Sequence, residues 1–287
     1  MRQIKMVLLF FVTALTSVFS YAQKSTIIGS SKLVCIYADI INTKDKELKP
    51  VTDSLQCVLL IGDDCSKFFD YHDFVDEMRM NKVQIPSQFD NVDKNAYNSL
   101  CTVFQNYPKG KMTVREPIYP SYYVYEEPMN NLSWALKDDT ATVCGYLCKS
   151  AVTTYGGRKW TVWYTEDIPS SSGPWKFNNL PGLILKAEDD SHSHRFEAFS
   201  LFQQTMDIRH IPSAVDQNIS RNKFISYRNK IKTDIKNLDD PLYFIPKNAI
   251  KNRYISGMAQ NKPRIFVNDG FVEIDDTGHY YIPLELK

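Results

Sequence analysis

The sequence predicts an α+β, β-rich domain: a curved, mostly antiparallel, half-barrel-like sheet with a few packed helices. Three observations carry this reading. Strand-like runs follow one another closely over residues 112–202, the glycine pair Gly156-Gly157 marks a tight hairpin, and apolar spacing of three and four is confined to three stretches.

The chain opens on a short basic head, Arg2 and Lys5, followed by an almost wholly apolar run from Met6 to Phe19. Ser20-Tyr21-Ala22 then places small residues at the −3 and −1 positions. This is the pattern of a secretory signal peptide, with cleavage expected after Ala22. The run is shorter than the roughly 20 residues that span a bilayer as a helix. Residues 1–22 are therefore read as a leader and residues 23–287 as one domain. Gln23 would become the first residue, so the acceptor cysteine for lipoprotein acylation is missing. No later stretch is apolar enough to anchor the chain in a membrane once the leader is removed, and the product is expected in the periplasm or outside the cell. Loss of Arg2 and Lys5 leaves 32 basic against 33 acidic side chains, a net charge of about −1. Such a balance gives no electrostatic footprint for nucleic acid.

Next come two strands, Leu33-Val34-Cys35-Ile36 and residues 55–61, joined by a polar stretch at Asn42-Thr43-Lys44-Asp45. Phe68, Tyr71, Val75 and Met78 predict a helix over residues 66–80, and Val92, Ala96, Leu100 and Val103 a second over residues 90–104. After Pro108-Lys109-Gly110 the pattern turns to strands, at 112–116, 122–126, 132–137, 141–154, 159–165, 183–188 and 194–202. Tyr155-Gly156-Gly157-Arg158 is a hairpin turn, because paired glycines supply the positive φ angles it needs. Trp160, Val162 and Tyr164 face one side of the next strand and Trp163 the other, so both faces are covered at least in part. A last helical stripe, Phe224, Tyr227, Ile231 and Ile235, leaves Arg221, Arg228, Lys230, Lys232 and Lys236 largely off it.

Cys35, Cys57, Cys65, Cys101, Cys144 and Cys148 all follow the leader, so disulfides are the expectation in an oxidising compartment. Six cysteines allow 15 pairings. If residues 144–148 are extended, Cys144 and Cys148 stand roughly 13 Å apart, beyond the reach of a bridge between them.

The most distinctive stretch is Trp163-Tyr164-Thr165-Glu166-Asp167-Ile168-Pro169, followed by Gly173-Pro174-Trp175-Lys176-Phe177-Asn178-Asn179-Leu180-Pro181-Gly182-Leu183-Ile184-Leu185. It resembles the GLPGLI family of exported Bacteroidetes proteins. Gly145-Tyr146, Cys148, Gly157-Arg158, Trp160, Leu60-Ile61-Gly62, Lys67-Phe68 and the terminal Tyr281-Ile282-Pro283-Leu284-Glu285 extend the likeness. Asn179 stands where the family has the first glycine of its name. Asparagine tolerates a left-handed backbone best among the other residues, so the turn is expected to survive. The resemblance implies an exported β-rich protein and brings no assigned activity. Taken by its residues, the segment is a proline-braced loop with apolar anchors. Trp160, Trp163, Tyr164, Trp175, Phe177, Leu180, Pro181 and Gly182 are the candidates for a wall or lid over an apolar ligand.

Serine-hydrolase, zincin, P-loop and dinucleotide signatures are missing, and no cofactor is expected. His192 and His194 are weak metal candidates, two residues apart beside Glu188, Asp189 and Asp190. The leading expectation is a non-catalytic binding or carrier-like protein of the cell envelope, with a lipid, a peptide or an outer-membrane protein as partner. Its rivals are an envelope hydrolase assembled only in three dimensions around His72, His192, His194, His210 or His279, and an interaction subunit of an outer-membrane complex.

Overall fold

Two long strands near the N-terminus set the frame. Along β1 (Thr26–Lys44) and β2 (Pro50–Gly62), Val34, Ile36, Val58 and Leu60 belong to one apolar cluster, and Cys35, Tyr37, Cys57 and Leu59 to another. All eight are fully buried, so this part of the sheet carries a core on each face. The computed structural model describes residues 25–44, 49–83, 97–98, 101–118, 121–129, 132–214, 216–234, 244–246, 255–259, 262–267, 270–273, 278–280 and 284–285.

The frame is widened by β3 (Ser66–Asp70), β5 (Thr102–Gln105), β6 (Lys111–Ile118), β7 (Ser121–Pro128) and β13 (Asp216–Asn218) on one side. On the other lie β12 (His194–His210), β11 (Leu183–Asp189), β10 (Arg158–Thr165), β9 (Tyr146–Tyr155) and β8 (Ala135–Val143). The described residues make one open 13-stranded sheet, ordered β13-β7-β6-β5-β3-β2-β1-β12-β11-β10-β9-β8, with the short β4 (Tyr97–Asn98) beside β2. Its pairs are antiparallel except β13 with β7 and β4 with β2. The chain is thus β-rich, as the sequence predicts. Two smaller sheets follow: β14 (Phe244–Pro246) with β18 (Gly278–Tyr280), and β15 (Ile255–Ala259), β16 (Lys262–Val267) and β17 (Gly270–Glu273).

The helix expected over residues 66–80 starts later, as α1 (Tyr71–Met80). Residues 66–70 are β3, with Phe68 buried in one cluster and Phe69 in the other. Asp70 caps α1 by accepting from the N–H groups of His72 (2.7 Å) and Asp73 (3.3 Å). Phe74 and Met78 then cover the Val34–Leu60 cluster. Of the helix expected over residues 90–104, the described part is strand instead. Val103 and Phe104 are both buried in β5, which pairs with β3 and β6; the segment 84–96 lies outside the described residues. The strand expected over residues 141–154 is two, because Cys144 (φ +50°) and Gly145 (φ +83°) turn the chain between β8 and β9. The hairpin at Gly156 (φ +61°) and Gly157 (φ +83°) forms as expected.

The last helix is α2 (Arg221–Asp234). Phe224 stacks on Tyr125 with ring centroids 5.1 Å apart. Arg228, expected on the solvated side, is 4% exposed. It lies close enough to Glu116 and Glu285 to favour their charged forms. No helix among the described residues is long and apolar enough to cross a membrane. At the sheet's edge, β8 is exposed along nearly its whole length, and its register slips at Asp138-Asp139.

Candidate ligand-binding cleft

Residues 166–182 connect β10 to β11 as a loop bonded to itself and to distant strands. Within it, the Asn179 N–H donates to Ser171 O (3.0 Å) and the Phe177 N–H to Pro174 O (3.1 Å). From outside, Gln105 Nε2 donates to the carbonyls of Trp175 and Phe177, both at 3.2 Å, and Trp134 Nε1 donates to Asn178 O at 2.9 Å. Asn179 takes φ +69°, the left-handed geometry expected of it. Gly182 is required for space, since a Cβ there would lie 2.0 Å from Thr165 O.

The eight wall candidates divide by burial. Trp160, Tyr164, Trp175, Phe177, Leu180 and Gly182 are buried, Trp163 is half-buried and Pro181 is exposed. Trp160, Trp175 and Phe177 form a triangle of rings with centroids 5.0, 5.4 and 5.9 Å apart. Trp163 sits beneath the Lys186 ammonium, 5.0 Å from its ring centre. These contacts hold the loop down, and none of the eight residues lines the cleft.

Between Trp175 and Phe177, Lys176 is fully buried inside an ionic network that the motif does not advertise. Its Nζ lies 2.7 Å from Glu127 on β7 and 2.5 Å from Glu285 near the C-terminus, and donates to Tyr125 Oη at 3.1 Å. Arg221 of α2 closes the group, 2.9 Å from Glu127 and 2.6 Å from Glu285. Burial alone would lower the Lys176 pKa, but Tyr125, Glu285 and their neighbours hold it well above the ordinary lysine value. Burial opposes ionisation of Glu285 too, yet Lys176 and Arg221 keep it below the usual carboxylate range. Glu116, which accepts from Tyr125 Oη at 2.7 Å, goes the other way: burial raises it, against Lys176.

The cleft itself, about 890 Å³, opens between the β2–β3 turn, a bulge of β1 and the start of the loop. The turn supplies Asp63 and Asp64. The register slip between Ser31 and Leu33 re-aims Lys32 to the rim, where it pairs with Asp63 at 2.7 Å. The loop supplies Asp167 and three consecutive hydroxyls, Ser170-Ser171-Ser172. Asn106, the half-buried rings of Tyr146 and Phe202, and apolar side chains including Leu33, Ile61, Met129, Ile168 and Leu201 make up the rest of the wall. Ser66, Gln105 and Asn178 are the most buried of the polar lining residues, 2%, 4% and 2% exposed. Sequence reasoning missed all of these residues as a site, because turns, a bulge and the ends of separate strands supply them and no local pattern joins them. None of His72, His192, His194 and His210 lines the cleft.

The two metal candidates take separate partners. His192, exposed at φ +54°, meets Glu188 at 2.7 Å, while buried His194 is 3.4 Å from Asp39. Among the described residues no group of three potential metal ligands forms. The hairpin below them is held by Arg158, which donates to Asp189 Oδ2 at 2.7 Å and to Leu284 O at 3.1 Å. Burial would raise the Asp189 pKa, but Ser191, the His194 N–H and Arg158 together depress it. A depressed carboxylate stabilises the fold above its unfolded pKa and ceases to do so as pH falls through its folded value. Urea unfolding at pH 7 and pH 3 should therefore show a smaller pH dependence for Asp189→Asn than for the native chain.

The expected disulfides do not appear: no bridge joins any of the six cysteines in the structure. Pairing places Cys35 opposite Leu59 and Cys57 opposite Tyr37, and Cys144 occupies the turn. Cys35, Cys57 and Cys148 are fully buried, and burial pushes the Cys148 thiol up to about 11 and Cys35 higher still. Such thiols carry little reactive thiolate. Iodoacetamide should therefore label the half-buried Cys65 and Cys144 ahead of Cys35 and Cys148 in the folded protein, as read by mass spectrometry.

A family model described as "Protein of unknown function (Porph_ging)" matches residues 156–186, which run from the glycine hairpin through β10 and the loop into β11. No curated protein matches the chain. Two solved structures of PNGF-II, in space groups P21 and C2, are similar at 16% identity, with TM-scores of 0.45 and 0.43. The likeness covers 82% and 75% of this chain but only 38% and 34% of theirs, so the chain spans little more than a third of their length.

Proposed function

We propose that this chain is an exported, non-catalytic binding protein of the cell envelope whose ligand occupies the cleft beside the 166–182 loop. The observation that carries the reading is the cleft: about 890 Å³, with buried polar atoms deep inside it and a loop fastened at several points along its wall. Its size falls in the range of about 300–1,000 Å³ usual for small-ligand sites. On this reading Trp160, Trp175 and Phe177 keep the loop rigid, and the turn residues beside them meet the ligand. Kinship with the GLPGLI-like exported proteins is supported by the motif, and export by the leader. A bent, half-barrel-like sheet is supported by Lys176, which follows β10 yet reaches Glu127 on β7, eight places away in strand order. Flat, that separation would be roughly 38 Å.

Native mass spectrometry of the chain purified from its own envelope tests the proposal. A polypeptide beginning at Gln23 with a non-covalently bound small mass is expected. Ser171→Trp, which fills the cleft from an exposed position, should remove that mass. A chain that leaves its envelope empty, or an adduct indifferent to Ser171→Trp, would count against it.

A further inference from the structure

We infer that the cleft takes a neutral, hydroxyl-rich ligand of the oligosaccharide kind, an inference that deepens the binding reading and rests on it. Asn178 is 2% exposed, and its Nδ2 donates to Lys176 O at 3.0 Å, which assigns Oδ1 as an acceptor. That Oδ1 and Ser66 Oγ are the buried side-chain atoms of the lining without a hydrogen-bond partner among the described residues. A buried polar group without a partner costs about 1–3 kcal/mol. Just behind its surface the cleft therefore holds one acceptor and one hydroxyl, reachable once the side chains over them give way, and a ligand that donates to them is rewarded.

The walls make the same demand. Asp63, Asp64 and Asp167 are acceptors, and the cation among the lining residues, Lys32, is already paired with Asp63. A phosphate or a fatty-acid carboxylate would find the one cation of the lining already paired. An acyl chain would leave Ser66 and Asn178 without partners. A basic peptide would satisfy the acids, but they are exposed, where screening leaves an ion pair worth little. Driving an ammonium down to neutral buried atoms would strip its water for no opposite charge. A sugar hydroxyl carries no such penalty. The half-buried faces of Tyr146 and Phe202 add flat apolar surface suited to the C–H side of a pyranose ring.

The test is a titration of the ¹⁵N-labelled chain with maltotriose, cellotriose and N-acetylchitotriose, alongside a lysine tripeptide and palmitate. At least one saccharide should shift the amides of Asp64, Asn106 and Ser170. Tyr146→Ala should weaken that binding about tenfold, and Ser171→Trp should abolish it, with both variants keeping the native dispersion of the spectrum. Asn178→Leu should abolish it as well; because this residue is buried, the two wall variants keep the test independent of its folding. If the lysine tripeptide or palmitate moves those amides and no saccharide does, the ligand class is overturned while the binding reading stands. If no probe moves them and the native chain also leaves its envelope empty, both fall.

Discussion

Lys176→Met is expected to lower the unfolding free energy by about 3–5 kcal/mol at neutral pH, the usual consequence of removing one partner from a buried ion pair. The methionine stem occupies nearly the same space. What is lost is the charge that faces Glu127 and Glu285, which would keep Arg221 at 2.9 and 2.6 Å. Urea unfolding followed by tryptophan fluorescence will report it directly, because Trp175 precedes the substitution and packs 5.9 Å from Trp160. The deficit should shrink in acid. Glu285 is held below the ordinary carboxylate range, so its contribution is present at neutral pH and disappears as pH falls through its folded value. Once it is protonated, the native chain has lost what the variant already lacks. A deficit below about 1 kcal/mol at pH 7 would mean that the network behaves as a solvated one.

Gly182→Ala is expected to cost about 3 kcal/mol or more, at the upper end of overpacking effects. The added methyl would meet Thr165 O at 2.0 Å, Thr165 C at 2.5 Å and Glu166 Cα at 3.0 Å, all of them backbone atoms. No rotamer change relieves that contact; the end of β10 and the start of β11 must separate. For a domain of this size the melting temperature should fall by roughly 6–12 °C. Gly145→Ala is the informative comparison. Nothing lies within 4 Å of its added methyl, and only its φ of +83° resists the change, so about 1 kcal/mol is expected there. Equal losses at the two positions would refute the steric account of Gly182.

What the sequence revealed, and what it concealed, follows from how many segments each feature needs. The turns at Gly156-Gly157 and Asn179 were readable because a positive φ narrows the choice of residue to very few. The Ser66–Asp70 strand reads as helix in the sequence because both faces of the sheet are covered there. Phe68 and Phe69 are each buried, so no polar alternation breaks the three-and-four spacing that runs on into Tyr71 and Met78. The aromatic character of the loop was plain, but its use was not. Trp175 and Phe177 could equally face a ligand or a core until Gln105, 70 residues away in the chain, is seen to bind their carbonyls. The cleft was concealed most fully, since the turn after β2, a bulge in β1, the residue after β5 and the start of the loop meet only in space. Lys176 and Glu285 lie 109 residues apart, and no local pattern marks either as buried.

The outermost strand, β8, has a consequence for the protein in a crowded compartment. Among the described residues no strand pairs with its outer side, and such a border ordinarily invites a neighbour's strand to add itself. Here Lys137, Asp138 and Asp139 lie side by side where the ladder slips, so an incoming chain would meet fixed charges and a broken hydrogen-bond spacing together. Concentrated solutions should therefore stay monodisperse in light scattering, and smoothing the slip by deleting Asp138 and Asp139 should promote fibril-like association.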